Sequence, residues 1–360
     1  MTASLLEAVN YGYSEGSEMS MTKDCFRAFP RAPLLVQPTP LERLDRLSHE
    51  LEIDLWIKRD DLTGLSFGGN KTRQLEFYLG AALADQADTI LITGAVQSNF
   101  CRTAAAAAAK LGMRAILQRE ERVPGMDPLY YRSGNIYLSD ILGAESISYP
   151  EGENEAGADA ALEAQAEELR KAGCNPYIIP LGLGHPPLGA LGYVLAAEEL
   201  AAQIGSFDAA VVPSGSGATH AGFLIGTRRA GITAPVYGIC VRRNAQLQKD
   251  RLEQLTQNLA DLMNAPRPFG SEDILTWDGA LAPGYGRAGP ATRAALQRMA
   301  ITEGILLDPV YSAKTFAGLL GLLETGSIAK GQKVLLLHTG GLPALFAYQN
   351  ELGFGHGNTC

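Results

Sequence analysis

The sequence predicts an α/β protein with parallel-rich sheets flanked by helices, and three observations carry that prediction. Short apolar runs such as Thr89-Ile90-Leu91-Ile92, Ala209-Ala210-Val211-Val212 and Val334-Leu335-Leu336-Leu337 have the length of buried strands. Longer segments with helical spacing alternate with these runs, as in βαβ units. Glycine- and hydroxyl-bearing loops mark the strand-to-helix steps, where open α/β sheets collect their ligands.

Along the chain, residues 1–20 are polar and small, without the basic start and apolar stretch of a secretory signal, so they are expected to be a loosely ordered extension. Met19 and Met21 are alternative starts. Prolines between Phe26 and Pro40 favour an extended arm, and Pro40–Leu51 reads as a helix with Leu41, Leu44 and Leu47 on one face. Leu55–Arg59 is a short strand, and the following Asp60-Asp61 suits a capped loop better than a carboxylate pair. Lys71 opens a helix whose buried face comprises Leu75, Tyr78, Leu79, Ala82 and Leu83.

Beyond the strand at 89–92, Gly94–Asn99 is a loop and Phe100–Leu111 a helix stopped by Gly112. A strand at Arg114–Gln118, a helix around Arg132–Leu142 and a strand near Glu145–Ser148 follow. Glu151–Asp159 reads as an exposed acidic loop, Ala160–Ala172 as a helix and Tyr177–Pro180 as a strand. Gly182–Gly189 marks a lobe boundary, followed by a helix over Ala190–Ile204. The theme then repeats. A strand at 209–213 leads through Ser214–Thr219 into a helix from His220, a strand at Val236–Cys240 and a helix at Leu247–Met263. The strand Val334–His338 precedes a short helix at Pro343–Tyr348 and a frayed tail.

Composition narrows the function classes. A 360-residue chain with 46% hydrophobic and 19% charged residues is globular, and it holds no segment apolar enough to span a membrane. Thirty basic against 39 acidic residues, net −9 and without a basic stripe, argue against nucleic-acid or anionic-membrane partners. Cys25, Cys101, Cys174, Cys240 and Cys360 are odd in number and scattered, which suits reduced thiols in a cytoplasm rather than disulfides or a zinc site. The five histidines show no ligand spacing, so no metal is expected.

Several stretches could carry chemistry, each with a plainer reading beside it. In Gly68-Gly69-Asn70-Lys71, Lys71 falls in the first turn of a helix, where the helix dipole and burial both favour a free, nucleophilic amine. Taken alone, a solvated lysine fits as well. Gly64 and Gly69 have the separation of a phosphate-cradling loop, but Asn70 stands where that motif needs lysine. Ser214-Gly215-Ser216-Gly217-Ala218-Thr219 joins a strand to a helix and offers amides and hydroxyls to one phosphate. Since His220 replaces the third glycine of a dinucleotide fingerprint and no acid follows, a single phosphate or an ordinary turn remains. Gln97-Ser98-Asn99 could hold a substrate carboxylate, with Ser98 as proton carrier or nucleophile, or could simply cap the next helix. Tyr285 and Tyr311 read alone as loop and core aromatics. Together, a freed lysine, a single-phosphate cradle, a carboxylate-holding loop and two tyrosines suit pyridoxal 5'-phosphate chemistry.

These motifs also form a recognisable set. Gly68–Phe77, Ala95–Asn99, Ser214–Gly222, Ala282–Gly286, Leu307–Tyr311 and His338–Gly341, in that order, resemble the D-cysteine desulfhydrase and 1-aminocyclopropane-1-carboxylate deaminase family. The likeness runs from about Phe26 to Tyr348. It implies a two-lobed, tryptophan-synthase-β-like (fold type II) pyridoxal-phosphate enzyme, a homodimer acting on a small amino acid. A small lobe over 67–182, a large cofactor-binding lobe over 21–66 and 183–350, and a tail over 351–360 are expected.

By the resemblance, Lys71 forms the Schiff base, and Ser98, Tyr285 and Tyr311 join it as catalytic candidates. Asn70, Ser214, Gly215, Ser216, Gly217, Ala218, Thr219, Tyr311, Ser312 and Thr339 are the further cofactor contacts, with Tyr311 stacked on the pyridine ring. Ser98, Asn99, Phe100 and Tyr285 face the substrate. Deaminases of the family have glutamate after the stacked tyrosine, near the ring nitrogen, and desulfhydrases have threonine; this chain has Ser312. A hydroxyl gives a weaker electron sink, which favours β-elimination of the desulfhydrase or cysteate sulfo-lyase kind over ring-opening deamination. Phe100 replaces the histidine of desulfhydrases and the glutamine of deaminases, and His185-Pro186-Pro187 leans towards the deaminase pattern. Both departures bear on which amino acid is used. The alternatives are the deaminase itself and a catalytically silent cofactor- or amino-acid-binding homologue.

Overall fold

Residues 28–354 are described by the computed structural model. The expected extension over 1–20 and the tail residues 355–360 lie outside the described residues, as do Cys25 and Cys360.

Two sheets organise the molecule. The four-stranded sheet is built from β3 (Thr89–Ala95), β4 (Arg114–Glu120), β5 (Glu145–Tyr149) and β6 (Pro176–Ile179), in the order β5-β4-β3-β6. All its pairings are parallel. The six-stranded sheet runs β1 (Leu41–Arg43), β2 (Asp54–Arg59), β10 (Lys333–His338), β7 (Ala209–Ser214), β8 (Val236–Cys240), β9 (Leu275–Trp277). Only β1 pairs antiparallel, with Leu41 opposite Lys58. Every residue of β3 and of β7 is buried, as expected where helices cover both faces of a parallel sheet. The α/β fold read from the alternating runs is therefore the fold observed.

The helices fall close to the expected positions: α1 (Asp45–Leu51), α2 (Asn70–Ala84), α3 (Asn99–Leu111), α4 (Asn135–Ile141), α5 (Glu155–Lys171), α6 (Leu188–Ile204), α7 (Ala218–Arg229) and α8 (Ala245–Leu262). Then follow α9 (Pro290–Glu303), α10 (Ser312–Glu324), and the short α11 (Ala344–Ala347) and α12 (Gln349–Leu352). The last of these carries helix two residues into the expected tail. Gly112 ends α3 with a φ of 74°, the left-handed cap its position suggested. Among the described residues no helix is long and apolar enough to cross a membrane.

Four local expectations change. The stretch after Pro40 is not helix: Leu41–Arg43 adds an edge strand to β2, and α1 begins only at Asp45. Leu44 and Leu47 are in one core, whereas Leu41 packs against another, so the leucine spacing did not define a single helical face. Leu83 is 42% exposed and leaves the buried face of α2 at Ala82. Residues 132–134 do not join α4, which Gly134 precedes with a φ of 60°. Most consequentially, α5 starts inside the segment read as an exposed acidic loop. Asn154 caps it by accepting from Gly157 N (2.9 Å), and Glu155 sits in the first turn, where a carboxylate favours the helix dipole.

Candidate active site

The carboxyl ends of β3, β7 and β10 and the starts of α2, α3 and α7 open onto one cleft between the sheets. Lys71, Ser98, Gly215, Tyr285 and Thr339 all line it, although they are spread over most of the chain.

Lys71 is delivered by a tightly tied turn. Gly69, with a φ of 114°, precedes α2, and a Cβ there would lie 3.0 Å from Thr339 O. The glycine lets the start of α2 press against the end of β10, where Asn70 N donates to Thr339 O (3.1 Å). Thr63 Oγ1 accepts from Gly69 N (2.8 Å), and Gly69 N also donates to Asp60 O (3.0 Å). One turn along α2, Arg73 is fully buried against Asp60 and Glu199 (2.9 and 3.0 Å). Tyr193 donates to the same Asp60 carboxylate (2.6 Å). The pair of acids at 60–61 is thus structural: Asp60 holds Arg73, and Asp61 holds Arg59 (2.8 Å).

The Lys71 amine donates to Gln74 Oε1 (3.1 Å) and lies 4.9 Å from the centre of the Phe100 ring. Burial lowers its pKa to about 8, so a useful fraction is free base near neutrality. The lysine is the desolvated one, not the solvated alternative.

At the start of α3, Ser98 does what its plainer reading said: its Oγ accepts from Cys101 N (3.1 Å) and caps the helix. It lines the cleft as well, beside Asn99 and Phe100. Asn99 Oδ1 accepts from Asn135 Nδ2 (2.9 Å), and Asn135 N donates to Gln97 Oε1 (2.9 Å), so α4 braces this loop.

The 214–219 loop divides. Gly215, Ser216, Gly217 and Thr219 line the cleft. Ser214 and Ala218 do not: the Ser214 hydroxyl is turned to His220 Nδ1 (3.1 Å) and accepts from Gln248 Nε2 (2.9 Å). Thr219 Oγ1 accepts from both Asn70 Nδ2 and Gln74 Nε2 (2.9 Å each), joining the glycine loop to the lysine helix. Four residues at a helix start, two of them glycine, offer the cleft the kind of backbone and hydroxyl donors that suit an anion.

Opposite, the hydroxyls of Tyr285 and Tyr311 lie 2.7 Å apart, and the rings meet edge to face. Asp308, fully buried, accepts from Val310 N and Tyr311 N (2.9 Å each) and fixes the turn that carries Tyr311. The same carboxylate takes Ser312: Ser312 Oγ donates to Asp308 Oδ1 (2.6 Å), and Ser312 is not in the cleft lining. Lys314, also fully buried, donates to Leu281 O and Gly284 O (2.9 and 2.7 Å) and so fixes the loop before Tyr285.

Sequence reading missed four charged residues of the cleft wall: Arg122, Glu155, Arg242 and Arg251. Arg122 is paired with buried Glu120 (2.7 Å) at the end of β4. Arg242 follows β8 directly. Both positions obey the rule that ligands gather at strand carboxyl ends, and that rule would have found them. Lys314, which braces the loop before Tyr285, carried no local signal, and Asp308 was read only as part of the Leu307–Tyr311 motif.

A nucleophilic amine in a desolvated pocket, a glycine loop tied to the amine's own helix, and a half-buried tyrosine pair match the needs of pyridoxal phosphate. The fold and site together define a pyridoxal-phosphate enzyme of the α/β, type II class. The chain belongs to the pyridoxal-phosphate dependent enzyme family, whose model matches residues 33–340. It is 40% identical over 327 residues to the 1-aminocyclopropane-1-carboxylate deaminase of Burkholderia vietnamiensis (strain G4 / LMG 22486), covering 89% of this chain and 96% of that one. To the D-cysteine desulfhydrase of Yersinia pestis (strain Pestoides F) it is 40% identical over 332 residues, covering 90% and 97%. The crystal structure of an ACC deaminase homologue superposes with a TM-score of 0.82 at 35% identity, over 91% of this chain and 97% of that one. Equal identity to a deaminase and a desulfhydrase leaves the choice of reaction to the site.

Proposed function

We propose that this chain is a β-eliminating lyase that acts on a small amino acid carrying a β leaving group and yields pyruvate and ammonia. The observation that carries the reading is the single cleft that joins the low-pKa Lys71 amine to the Gly215–Thr219 cradle and the Tyr285–Tyr311 pair. Bound pyridoxal phosphate supplies a ring that withdraws electrons from the substrate α carbon.

The chain's own residues do the rest. Lys71 would hold the cofactor covalently, and its free Nζ would take the α proton of the bound amino acid. Amides at the start of α3, with Ser98 and Asn99, hold the substrate carboxylate. The cradle of Gly215, Ser216, Gly217 and Thr219 holds the phosphate, with Asn70 and Gln74 ordering Thr219. Thr339 and Tyr311 would hold the cofactor from the side of the cleft they line, and Tyr285 would donate a proton to the departing group. Phe100 beside Lys71 makes this corner apolar, which favours an uncharged, soft substituent such as a thiol. D-cysteine desulfhydrase-like chemistry, a carbon–sulfur lyase, is therefore preferred to the cysteate type.

Ser312 supports elimination in a way that differs from the expectation. Its hydroxyl is committed to Asp308, so no carboxylate at this position serves the ring. Ring opening of a cyclopropane needs the deeper sink, so the deaminase reading ranks second. We further infer a small lobe over 67–182 and a large one over 21–66 and 183–350, a homodimer, and a cytoplasmic location that suits the unpaired Cys101, Cys174 and Cys240.

The test is a substrate panel on the purified holoenzyme. Both enantiomers of cysteine, 3-chloroalanine, serine and cysteate are scored for pyruvate, and the cyclic amino acid for 2-oxobutyrate. Pyruvate from cysteine or chloroalanine, lost in Lys71→Ala, is expected. Only 2-oxobutyrate from the cyclic substrate would establish the deaminase, and no product from any of them the silent homologue.

A further inference from the structure

One carboxylate ties the two sheet layers together at the rim of the cradle. Glu155, in the first turn of α5 beside the four-stranded sheet, accepts from three arginines that belong to the six-stranded side. Oε1 takes Arg242 Nη1 and Arg243 Nη2 (2.7 and 2.6 Å), and Oε2 takes Arg251 Nη1 (3.1 Å). Two of the arginines continue to the glycine loop. Arg251 Nε donates to Ser216 O (2.8 Å), and Arg243 Nη1 donates to Gly215 O (3.3 Å). Arg251 Nη2 also reaches Leu181 O (3.2 Å), at the end of the four-stranded layer.

The peptide unit is planar, so a fixed carbonyl fixes the N–H on its other edge. Holding Gly215 O and Ser216 O from outside therefore sets the directions of the Ser216 and Gly217 amides. Arg242 and Arg251 are 6% and 8% exposed, and three guanidiniums this close repel one another unless an anion bridges them. Burial and the two neighbouring arginines indeed hold the Arg243 pKa below its ordinary value. Glu155 is the common bridge.

We propose that Glu155 is a positioning residue for the cofactor: through Arg251 and Arg243 it fixes, from the opposite layer, the peptide planes of the phosphate cradle. This rests on the reading of Gly215–Thr219 as that cradle. A second force acts in the opposite direction, since a bare carboxylate near a phosphate repels it and its loss would tighten binding. Three guanidiniums surround this carboxylate and compensate most of its field, so the geometric effect is the larger.

The two forces predict opposite signs, and cofactor retention distinguishes them without any turnover measurement. The dissociation constant and release rate of pyridoxal phosphate are measured for the wild type, Glu155→Gln, Arg251→Met and the double variant. Loss of a charge-assisted hydrogen bond that orders the cradle should weaken retention about tenfold in Glu155→Gln. In the Arg251→Met background the same change should add about threefold or less, because only the longer Arg243 contact to Gly215 O still carries Glu155 to the loop. Should Glu155→Gln fail to fold, Glu155→Asp, too short to reach all three arginines, carries the same comparison. Unchanged or tighter retention in the Glu155 variant overturns the proposal, as does an equal loss in both backgrounds. Thr219→Val serves as the control on the cradle itself. If it leaves retention unchanged, the cradle reading has failed; if it loosens the cofactor while the Glu155 variants do not, only the clasp has failed.

Discussion

The amine of Lys71 lies 4.9 Å from the centre of the Phe100 ring, at the meeting of two helix starts. A cation over an aromatic face gains about 0.5–2 kcal/mol, which would by itself raise the lysine pKa. Burial acts the other way and lowers the pKa to about 8. Phe100 contributes on both sides, as a weak cation partner and as part of the wall that excludes solvent.

In the apoprotein the free-base fraction of Lys71 should set the rate of cofactor attachment. Between pH 6.5 and 8 the rate of recovery of the visible cofactor band is expected to rise about tenfold per pH unit and then to level off near 8, not near the ordinary lysine value. The same shift gives a sign for stability. The unfolded chain binds the extra proton between about 8 and 10.5, so apoprotein stability from this group rises across that window and is lowest below it. Melting curves of apo Lys71→Met should lack that rise.

Placing a carboxylate at 312 should not convert the enzyme into a deaminase. Ser312 Oγ lies 2.6 Å from Asp308 Oδ1 in a buried site, so Ser312→Glu sets two carboxylates against each other. Destabilisation of about 3 kcal/mol or more is expected in denaturant titration, with no gain of 2-oxobutyrate formation. A folded Ser312→Glu variant that opens the cyclic substrate would contradict this account.

Lys314 should affect turnover while leaving the cofactor in place. Its ammonium holds the carbonyls of Leu281 and Gly284, and burial lowers its pKa to about 8. Lys314→Met leaves both carbonyls without their donor and frees the Tyr285 loop, at about 1–3 kcal/mol in stability. The expected signature is a kcat lowered about tenfold or more, with pyridoxal phosphate retention within twofold of wild type.

The Arg73–Asp60 pair predicts a loss that reaches the lysine. Both partners are buried, and Asp60 is held below its ordinary pKa by Arg73 despite the cost of desolvation. Removing one partner strands the other, at about 3–5 kcal/mol. Arg73→Met should therefore lower the unfolding midpoint sharply, and its residual folded fraction should attach cofactor slowly because the Asp60 segment that anchors the Lys71 turn has lost its side-chain partner. The paired change of Asp60→Asn with Arg73→Met should recover part of the loss.

How much of this was written in the sequence depends on the range of the interaction concerned. Alternating apolar runs named the α/β fold, because strand and helix periods are local properties. Gly112, the glycines before Lys71 and the loop from Ser214 to Thr219 were legible for the same reason: backbone conformation there is set within a few residues. Helices α9 and α10 were not read, although Pro290 at the first position of α9 and Gly304 after it mark its ends.

What the tertiary structure alone decided is where side chains point and who meets whom. Ser214 and Ser312 lie in the right segments, yet their hydroxyls turn to His220 and Asp308, because a buried hydroxyl takes the nearest partner that satisfies it. Glu155 looked like a solvated acid in a loop and became the bridge for three arginines some ninety residues away. The lowered pKa of Lys71 likewise depends on Phe100 and on the closure of two layers around it. Sequence determined which chemistry-bearing groups exist and which elements carry them; packing across distant segments determined their protonation, their direction and their company.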